Sequence, residues 1–338
     1  MSGTDLLSSP PPRLVDRYRR HLNYLRVSIT DRCDLRCIYC KPDGLIPKLS
    51  HDDVLSYEEI LRLVRIAVGL GITKVRITGG EPLVRQGVCG FLSRLTRIDG
   101  ITDVSLTTNA FRLARYLPRL KKAGVHRLNI SLDTLNPEKY QKITGVDGFD
   151  RVWSAILQAH QLGFAPIKVN AVALKGYNDD ELVDMARLSI TYPFHVRFIE
   201  YMPIGTANMR KGDYLRTADI KTRLTELGPL LPVPRDTHDG PAERFRLPDA
   251  AGEVGFISAM SNHFCATCNR LRLSASGKLR SCLMSDEQKD LRPVLRQGGS
   301  DEDLTRVFLA AVQSKPARHH LTDAERARVN SQMSSIGG

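Results

Sequence analysis

The stretch YLRVSITDRCDLRCIYC, residues 24–40, joins a strand-like run to three cysteines, Cys33, Cys37 and Cys40, spaced C-x3-C-x2-C. Its first seven residues are rich in β-branched and aromatic side chains, which is typical of a strand. Parallel sheets place their chemistry at the carboxyl ends of their strands. The stretch therefore predicts a parallel sheet whose first strand ends in a cysteine-rich loop.

The following sequence repeats this alternation of strand and helix. Strand patterns recur in five further segments, 72–78, 102–108, 126–132, 167–174 and 195–201. Amphipathic helix patterns lie between them, at 56–69 and near 87–98, 110–123, 150–163 and 178–191. Six consecutive βα units predict an α/β fold with helices outside a parallel sheet, because parallel strands need crossover connections. Periodicity alone leaves both an open sheet and a barrel possible.

The alternation stops after about residue 205, and we expect four parts along the chain. These are a mobile N-terminal arm (1–22), the βα domain (23–205), a C-terminal region (206–326) and a tail (327–338) that ends in Gly337–Gly338. The C-terminal region contains three more cysteines within the segment 253–285. Six βα units fall short of a complete barrel, so we expect the C-terminal region to cover the gap.

Composition narrows the class of protein. No run approaches the roughly 20 apolar residues that a membrane span needs, and the N-terminus lacks the apolar core of a secretory signal. We therefore expect a cytoplasmic protein, in which clustered cysteines hold metal rather than form disulfides. The net charge of +12 fits either a solvated basic surface or a site for a phosphorylated ligand.

Uncommon polar and glycine residues follow the predicted strands at the same edge. They form the motifs GGEP (79–82), TTN (107–109), SLD (131–133) and EYMP (200–203). Because the carboxyl ends of parallel strands meet at one rim, we expect these motifs to share a site with the cysteine triplet.

The first triplet has three thiols and no neighbouring fourth ligand. A structural zinc site needs four protein ligands, and His51 is eleven residues beyond Cys40. A [4Fe–4S] cluster held by three thiolates keeps one iron open, which suits binding and activation of a ligand. The spacing favours the cluster, and zinc remains the alternative.

The triplet with Tyr39 before its last cysteine, followed by GGEP, resembles the radical S-adenosylmethionine superfamily. The resemblance implies that the open iron binds S-adenosylmethionine and that the pair generates a 5′-deoxyadenosyl radical. It also implies cofactor contacts from Gly80 and Ser131 to the methionine part and from Tyr39 to the adenine, with Met202 packed nearby. Gly79 and Gly80 fit such a role because a backbone without side chains can approach a ligand closely.

A second triplet lies in the C-terminal region, at Cys265, Cys268 and Cys282. His263 stands two residues before the first of them, so a closed zinc site with three cysteines and one histidine competes with a second open cluster. Between these cysteines Arg270 and Arg272 alternate with leucines, which directs both guanidinium groups to one face of a strand. Two planar cations beside a metal centre suit a phosphorylated or heteroaromatic ligand.

The two unequal triplets, the sequence NRLRL and the terminal double glycine together resemble the GTP 3′,8-cyclase family of molybdenum cofactor biosynthesis. That similarity runs from about Leu25 to the last residue. It implies a partial (β/α)6 TIM-type barrel and a C-terminal α+β region that carries a second [4Fe–4S] cluster. It further implies that GTP lies between the two clusters and is converted to 3′,8-cyclo-7,8-dihydro-GTP, after abstraction of hydrogen from ribose C3′ and bond formation between C3′ and C8.

The same resemblance assigns the site residues. Catalytic roles fall to the first triplet together with Arg270 and Arg272. Substrate contacts fall to Arg26, Lys74, Arg76, Thr107, Lys168, Arg197, Arg270, Leu271 and Arg272. The expected partners are an electron donor and cyclic pyranopterin monophosphate synthase as the downstream enzyme, and a homodimer is one possible assembly. In this chain Ala110 occupies a position where the family usually has glycine.

Two alternatives remain open at this point. A two-cluster radical enzyme with a peptide or another small molecule as substrate would share most of these motifs. A zinc-stabilised protein that binds nucleic acid would also be basic, but aromatic residues make up only 6% of the chain, which leaves little material for base stacking. We therefore expect no nucleic-acid or membrane partner. Cys89 lies outside both triplets, is predicted to be buried, and is assigned no role.

Overall fold

The computed structural model describes residues 13–40, 48–205, 214–234, 240–319, 321 and 329–337. Six parallel strands lie where the sequence predicts them: β1 (Tyr24–Ser28), β2 (Lys74–Thr78), β3 (Asp103–Thr108), β4 (Arg127–Ser131), β5 (Ile167–Ala173) and β6 (Phe194–Glu200). Each pairs in parallel with the next, so the chain has an α/β fold built as a partial barrel, which confirms the predicted class.

Helices connect these strands on the outside of the sheet. They are α1 (Tyr57–Gly69), α2 (Val88–Leu95), α3 (Leu117–Lys122), α4 (Pro137–Thr144), α5 (Phe149–Gln161) and α6 (Leu182–Thr191). Ser56 and Glu59 form a capping box at the start of α1, where the helix pattern 56–69 begins. The sequence pattern missed α4, a helix of eight residues whose N-cap Asn136 accepts hydrogen bonds from Glu138 N and Lys139 N.

After β6, the described parts of the C-terminal region and the tail add four helices and six strands. They are α7 (Thr217–Leu224), β7 (Leu231–Pro232), β8 (Glu243–Arg246), β9 (Glu253–Ile257), β10 (Arg270–Leu273), β11 (Lys278–Arg280), β12 (Lys289–Asp290), α8 (Arg292–Arg296), α9 (Asp301–Gln313) and α10 (Met333–Ile336). Short 3-10 turns lie at His51–Asp53, Pro82–Val84, Ala114–Tyr116, Thr225–Leu227 and Cys265–Thr267.

These strands extend the barrel sheet instead of forming a sheet of their own. The strand order is β12-β11-β10-β1-β2-β3-β4-β5-β6-β9-β8-β7. Both β10, beside β1, and β9, beside β6, run parallel to their barrel neighbours. The described sheet therefore contains eight successive parallel strands, of which the C-terminal region supplies the two outer ones. The segment 258–269 leaves one parallel edge and reaches the other, and it contains Cys265 and Cys268.

Alternation along the strands separates an apolar exterior from a polar interior. On β1 and β2 the outward residues Leu25, Val27, Val75 and Ile77 are fully buried in the core under the helices. The residues between them face the barrel interior and include cations and hydroxyl groups. A polar interior departs from the packed aliphatic layers typical of complete (β/α)8 barrels, and it leaves the interior suited to a polar ligand.

The N-terminal arm predicted over 1–22 needs a correction over its second half. Residues 1–12 lie outside the described residues, but Leu14 and Leu22 are buried in the core. Asp16 and Arg20 are also buried and form an ion pair of 2.5 Å between Oδ2 and Nε. Residues 13–22 therefore pack against the βα domain, because their leucines belong to its core and their ion pair is buried.

In the part of the chain that the structure describes, we found no helix with the length and apolar character of a membrane span.

Candidate active site

The first cysteine triplet lies in the loop after β1, as the sequence predicts. This loop is tied to the end of α4 by backbone hydrogen bonds from Arg36 N to Thr144 O (2.8 Å) and from Ile38 N to Ile143 O (3.0 Å). Cys40 N donates to Cys37 O at 2.9 Å, which turns the loop so that the cysteines can approach one another.

The chemistry of this donor set fits an iron–sulfur cluster. Burial raises the pKa of Cys37 well above its ordinary value, and the nearby Asp133, Cys40 and Cys33 raise it further. A thiol that resists ionisation beside two other cysteines needs nearby positive charge to become a thiolate, and the iron of a cluster would supply it. Within the described ranges, no group of three or more His, Cys, Asp or Glu side chains is arranged to hold a single metal ion.

Tyr39 is fixed in the loop by a side chain from the far side of the site. Its hydroxyl donates to Asp133 Oδ2 at 2.6 Å, and Val172 N donates to Asp133 Oδ1 at 2.8 Å. Burial raises the pKa of Asp133 to about 6, against the lowering effect of these two hydrogen bonds. Asp133 thus couples the SLD motif to the cysteine loop.

The glycines of GGEP are required by the protein's own backbone. A Cβ on Gly80 would lie 2.3 Å from Arg32 O, and one on Gly79 would lie 2.9 Å from Thr30 O. Both contacts are to the cysteine loop, and Gly80 N donates to Thr30 O at 2.6 Å. Close approach of a ligand is the reason for glycine that the sequence suggests. The structure adds a second reason, which is the close packing of GGEP against the first triplet.

Glu81 and Asn109 are positioning residues that the sequence analysis did not single out. The Glu81 carboxylate accepts hydrogen bonds from Leu83 N (3.0 Å), Thr108 Oγ1 (2.8 Å) and Asn109 N (2.8 Å). Asn109 Nδ2 in turn donates to Asp34 Oδ1 at 2.9 Å. The signal was present in the sequence, since both residues belong to motifs at strand ends.

The second triplet is assembled from three different elements. Cys265 begins a 3-10 turn, Cys268 lies two residues before β10, and Cys282 lies two residues after β11. Burial alone would raise the pKa of Cys268, but Arg270 and Lys315 outweigh it and lower that pKa to about 6. For Cys282 burial prevails and raises the pKa of the thiol.

His263, the competing zinc ligand, is engaged elsewhere. Its Nδ1 lies 3.1 Å from Ala259 O, and its ring packs edge-on against His319 with centroids 4.2 Å apart. His319 Nε2 lies 3.0 Å from the same carbonyl oxygen. The histidine pair therefore holds the loop before the triplet, which weakens the argument for a closed site of three cysteines and one histidine.

One cavity joins the two halves of the predicted site. Its lining includes cofactor-side residues, cations and the second triplet: Arg26, Arg76, Thr107, Ser131, Arg197, Met202, Cys265, Cys268, Arg270, Arg272 and Cys282. Residues predicted from the ends of different strands, and from both halves of the sequence, thus meet in a single space.

Three arginines stand level with one another inside this cavity. Arg26 on β1 is paired with Arg272 on β10 and, on its other side, with Arg76 on β2. Burial, followed by the charge of Arg270, lowers the pKa of Arg272 to about 9. Burial, followed by Arg272, likewise lowers the pKa of Arg26. Like charges directly opposite each other in a sheet are destabilising. Binding of an anion would reduce the repulsion among these three arginines.

The two lysines among the predicted substrate cations, Lys74 and Lys168, are both buried. They and Leu271 are not among the described residues that line the cavity. Lys74 forms an ion pair of 3.0 Å with the neighbouring Asp103, so part of its charge is balanced within the protein. Burial, followed by the charges of Arg197 and Arg76, lowers the pKa of Lys168 to about 6. Leu271 packs its side chain in the outer core, so any ligand contact would use its backbone.

Thr107 presents a buried polar atom to the cavity. Its Oγ1 is buried and has no hydrogen-bond partner among the described residues. A buried hydroxyl without a partner carries a free-energy cost of about 1–3 kcal/mol. A bound ligand that hydrogen-bonds to Thr107 would remove this cost.

The C-terminal tail reaches the same strand ends. Gly338 lies outside the described residues, but Gly337 O accepts a hydrogen bond of 2.9 Å from Arg272 Nη1. Gly337 has a φ of +71°, and a Cβ there would lie 2.8 Å from Thr78 Cγ2. The tail segment is anchored upstream by α10 and by a bridge between Val329 and Ile204.

Comparison with known proteins decides the family. The Radical SAM superfamily model matches residues 27–189, and the Molybdenum Cofactor Synthesis C model matches residues 194–321. A GTP 3′,8-cyclase from Heliobacterium modesticaldum is 49% identical over 330 residues, with coverage of 96% of this chain and 100% of the relative. Another from Moorella thermoacetica is 47% identical over 323 residues, with 96% and 99% coverage.

This chain belongs to the GTP 3′,8-cyclase family. The match extends over nearly the whole length of both relatives, so it includes both cysteine triplets. The boundary between the two family models falls between residues 189 and 194. It precedes β6, whereas we placed the domain boundary at residue 205 because the βα alternation ends there.

Solved structures of lower sequence identity have a fold similar to that of this chain. Streptococcus suis SuiB bound to S-adenosylmethionine superposes with a TM-score of 0.61 at 15% identity, covering 90% of this chain and 77% of SuiB. Streptococcus suis SuiB in a second structure gives a TM-score of 0.58 at 16% identity, with 82% and 66% coverage. At this level of identity the likeness concerns the fold alone.

This chain has Ala110 at a loop position where the family usually has glycine. Its φ is +62°, in the left-handed region that favours glycine. Its backbone N donates to Thr108 Oγ1 at 3.0 Å and its O accepts from Leu113 N at 3.0 Å. The loop therefore keeps the conformation that suits a glycine although this chain has alanine there.

Proposed function

We propose that this protein is a lyase that converts GTP to (8S)-3′,8-cyclo-7,8-dihydroguanosine 5′-triphosphate, the first step of molybdenum cofactor biosynthesis. The observation that carries the proposal is the level row of Arg272, Arg26 and Arg76 within a cavity that also reaches the second cysteine triplet. A nucleoside triphosphate has the charge to neutralise such a row, and its base can extend toward the metal centre.

The first half of the site provides for an iron–sulfur cluster and S-adenosylmethionine. Cys33, Cys37 and Cys40 would hold the cluster, while Tyr39, Gly80, Ser131 and Met202 would contact S-adenosylmethionine. When bound, the cluster and S-adenosylmethionine supply a 5′-deoxyadenosyl radical that takes hydrogen from ribose C3′ before C3′ bonds to C8. The protein's task is to aim this radical at one carbon and keep water and other donors away.

The substrate cations act on the triphosphate. Arg26, Arg76, Arg197 and Arg272 are largely buried or face the cavity, where a phosphate–guanidinium contact is screened little by solvent. Thr107 offers its unpaired hydroxyl to the nucleotide. Lys168 lies behind this layer, and a bound triphosphate would favour its protonated form.

In the second half of the site, the C-terminal triplet would hold a second [4Fe–4S] cluster beside the substrate. Cys265, Cys268 and Cys282 all line the cavity, and their nearest histidine is occupied by Ala259 O. Arg270 lies beside this triplet, with its guanidinium carbon 4.8 Å from the centroid of the Phe264 ring. Their position in the cavity supports contacts of Arg270 and Arg272 with guanine or phosphate.

The proposed partners follow from the reaction. Reductive cleavage of S-adenosylmethionine needs an electron donor, and the cyclised nucleotide is the substrate of cyclic pyranopterin monophosphate synthase. A cytoplasmic location and a homodimeric assembly belong to the same proposal.

The test is anaerobic reconstitution followed by product analysis. The chain should take up about eight irons and eight sulfides, on the assumption of two cubes. With S-adenosylmethionine, reductant and GTP it should form 5′-deoxyadenosine and the cyclised nucleotide in equal amounts. Cleavage of S-adenosylmethionine without any binding of GTP would favour the alternative of a peptide or another small-molecule substrate. Two zinc ions without sulfide would overturn the proposal.

A further inference from the structure

A buried lysine stands behind the second cysteine triplet, outside the predicted substrate site. Lys315 follows α9 by two residues, is 2% exposed, and is not among the described residues that line the cavity. Its Nζ lies 3.5 Å from Cys268 Sγ and donates to Arg270 O at 3.1 Å and to Ser281 O at 2.5 Å. None of these three partners is a carboxylate.

These contacts join two segments that carry cysteines of the triplet. Cys268 precedes β10, whereas Ser281 immediately precedes Cys282 at the end of β11. A single ammonium therefore fixes the spacing between Cys268 and the backbone that carries Cys282. Its charge also lies at hydrogen-bond distance from a sulfur that is a cluster ligand in the proposed function.

The third cysteine segment is tied to the residues next to Lys315. Arg20 Nη1 donates to Cys265 O at 2.7 Å and to Ala317 O at 3.1 Å, and Arg20 Nη2 donates to Pro316 O at 2.6 Å. Asp16 holds Arg20 in place through an ion pair of 2.5 Å. The segment 315–317 thus connects all three parts of the triplet, and its ammonium group lies at hydrogen-bond distance from the sulfur of Cys268.

We propose that Lys315 is a positioning residue that sets the reduction potential of the second cluster and retains its ligands in place. Hydrogen bonds to cluster sulfurs and nearby positive charge both stabilise the reduced, more negative state, and so raise the potential. The inference rests on the proposed function, because it assumes that Cys265, Cys268 and Cys282 hold an iron–sulfur cluster.

The experiment uses the full-length chain with Cys33, Cys37 and Cys40 changed to Ala, so that only the second cluster is loaded. Lys315→Gln keeps a hydrogen-bond donor and removes the charge, while Lys315→Arg keeps the charge. The matched control is Lys289→Gln, an exposed lysine on β12 near Glu287. Iron and sulfide are measured per chain, and the potential is measured by an electron paramagnetic resonance titration.

We expect a more negative potential in Lys315→Gln, and the parent potential in Lys315→Arg and Lys289→Gln. Equal potentials in Lys315→Gln and the parent would overturn the inference while leaving the two-cluster function intact. If Lys315→Gln binds no iron, the result for Lys315→Arg is decisive. Iron binding with the parent potential in Lys315→Arg supports the inference, whereas loss of iron in that variant overturns it. A parent that binds no iron and sulfide would overturn both the inference and the second cluster of the proposed function.

Discussion

Arg26 and Arg272 face each other in register on the neighbouring parallel strands β1 and β10, and both are buried or nearly so inside the barrel. The two strands are about 245 residues apart in sequence, so this pairing joins the first βα unit to the C-terminal region. Arg76 continues the row on β2. Folding therefore brings like charges together, and binding of a polyanion relieves their repulsion.

The first prediction concerns the apo-protein and the complex separately. Arg76→Met should raise the melting temperature without ligand, because it removes one charge from the row. The same change should weaken GTP binding by about 10- to 100-fold, which corresponds to a charge-assisted hydrogen bond of about 1.5–3 kcal/mol. Thermal unfolding with and without GTP measures both effects, since ligand binding stabilises the native state by mass action.

The control for this prediction is Arg94→Met. Arg94 is an exposed arginine on α2 that pairs with Glu58 at 2.8 Å. Arg94→Met should change the melting temperature and GTP binding little, because exposed ion pairs contribute about 0–1 kcal/mol to stability. A drop in melting temperature for apo Arg76→Met would contradict charge repulsion in the row.

Strand positions and the cysteine loop could be predicted because they depend on local patterns. The six strands of the barrel lie within two residues of the predicted segments, since β-branched runs bounded by polar motifs identify them. The identity of the outer parallel strands could not be predicted in the same way. Whether β9 and β10 join opposite edges of one sheet depends on pairing over long sequence distances, which no short pattern encodes.

The sequence predicts ligand residues for the site, but it gives no sign of the residues that support them. Cysteines, glycines and alternating arginines have local signatures, whereas Glu81, Asn109 and Asp133 act through contacts between motifs from different strand ends. The same reason explains Lys74, whose ion pair with Asp103 forms only when β2 and β3 are side by side. A single sequence shows a lysine on a strand and gives no sign of its partner.

The second prediction separates the roles of the two triplets. Cys37→Ala should abolish formation of 5′-deoxyadenosine, because the first cluster loses a ligand. Cys282→Ala should spare part of that cleavage and suppress the cyclised nucleotide. Cys89→Ala is the matched control, since Cys89 is buried in α2 outside both triplets, and both products should form. Equal loss of both products in Cys282→Ala would be evidence against separate roles.

The third prediction follows from Lys168. Burial and its cationic neighbours lower the pKa of Lys168 to about 6 from an ordinary value of 10.5, so the unfolded chain binds more protons than the native state between these values. The contribution of Lys168 to stability is therefore least favourable below pH 6 and improves as the pH rises toward 10.5. A triphosphate raises this pKa again, so GTP binding near pH 7.5 should take up a proton.

Calorimetry tests this proton uptake. GTP binding is measured at pH 7.5 in two buffers that differ in ionisation enthalpy, for the parent protein and for Lys168→Met. Uptake should be smaller in the variant, and the parent's GTP affinity should decline more steeply as the pH increases above 6. Identical uptake in both proteins would show that Lys168 does not sense the nucleotide.

The fourth prediction concerns Ala110. Both Ala110 and Ala67 are fully buried alanines of the same core, so glycine at either site removes one buried methyl group. Ala67→Gly also loses about 1 kcal/mol of helix propensity in α1. At Ala110 glycine instead relieves a left-handed conformation that costs an alanine about 1–2 kcal/mol. Ala110→Gly should therefore be less destabilising than Ala67→Gly by about 2 kcal/mol in urea unfolding.

The last prediction concerns the tail. Gly337 combines a φ of +71° with close contact to β1 and β2, where an added Cβ would lie 2.8 Å from Thr78 Cγ2 and 3.1 Å from Ser28 Cβ. Gly337→Ala should therefore displace the tail, break the hydrogen bond from Arg272 to Gly337 O, and lower turnover at least tenfold. The melting temperature should change little, because the tail leaves the core helices intact.

Gly90→Ala provides the matched control for the tail, since a Cβ at this helical position meets nothing within 4 Å. It should retain full turnover and gain up to about 1 kcal/mol in stability from helix propensity. Turnover is measured as cyclised nucleotide per chain, and cluster content is checked in parallel so that loss of iron is recognised. Parent-like turnover in Gly337→Ala would mean that the contact between Arg272 and the tail has no part in catalysis.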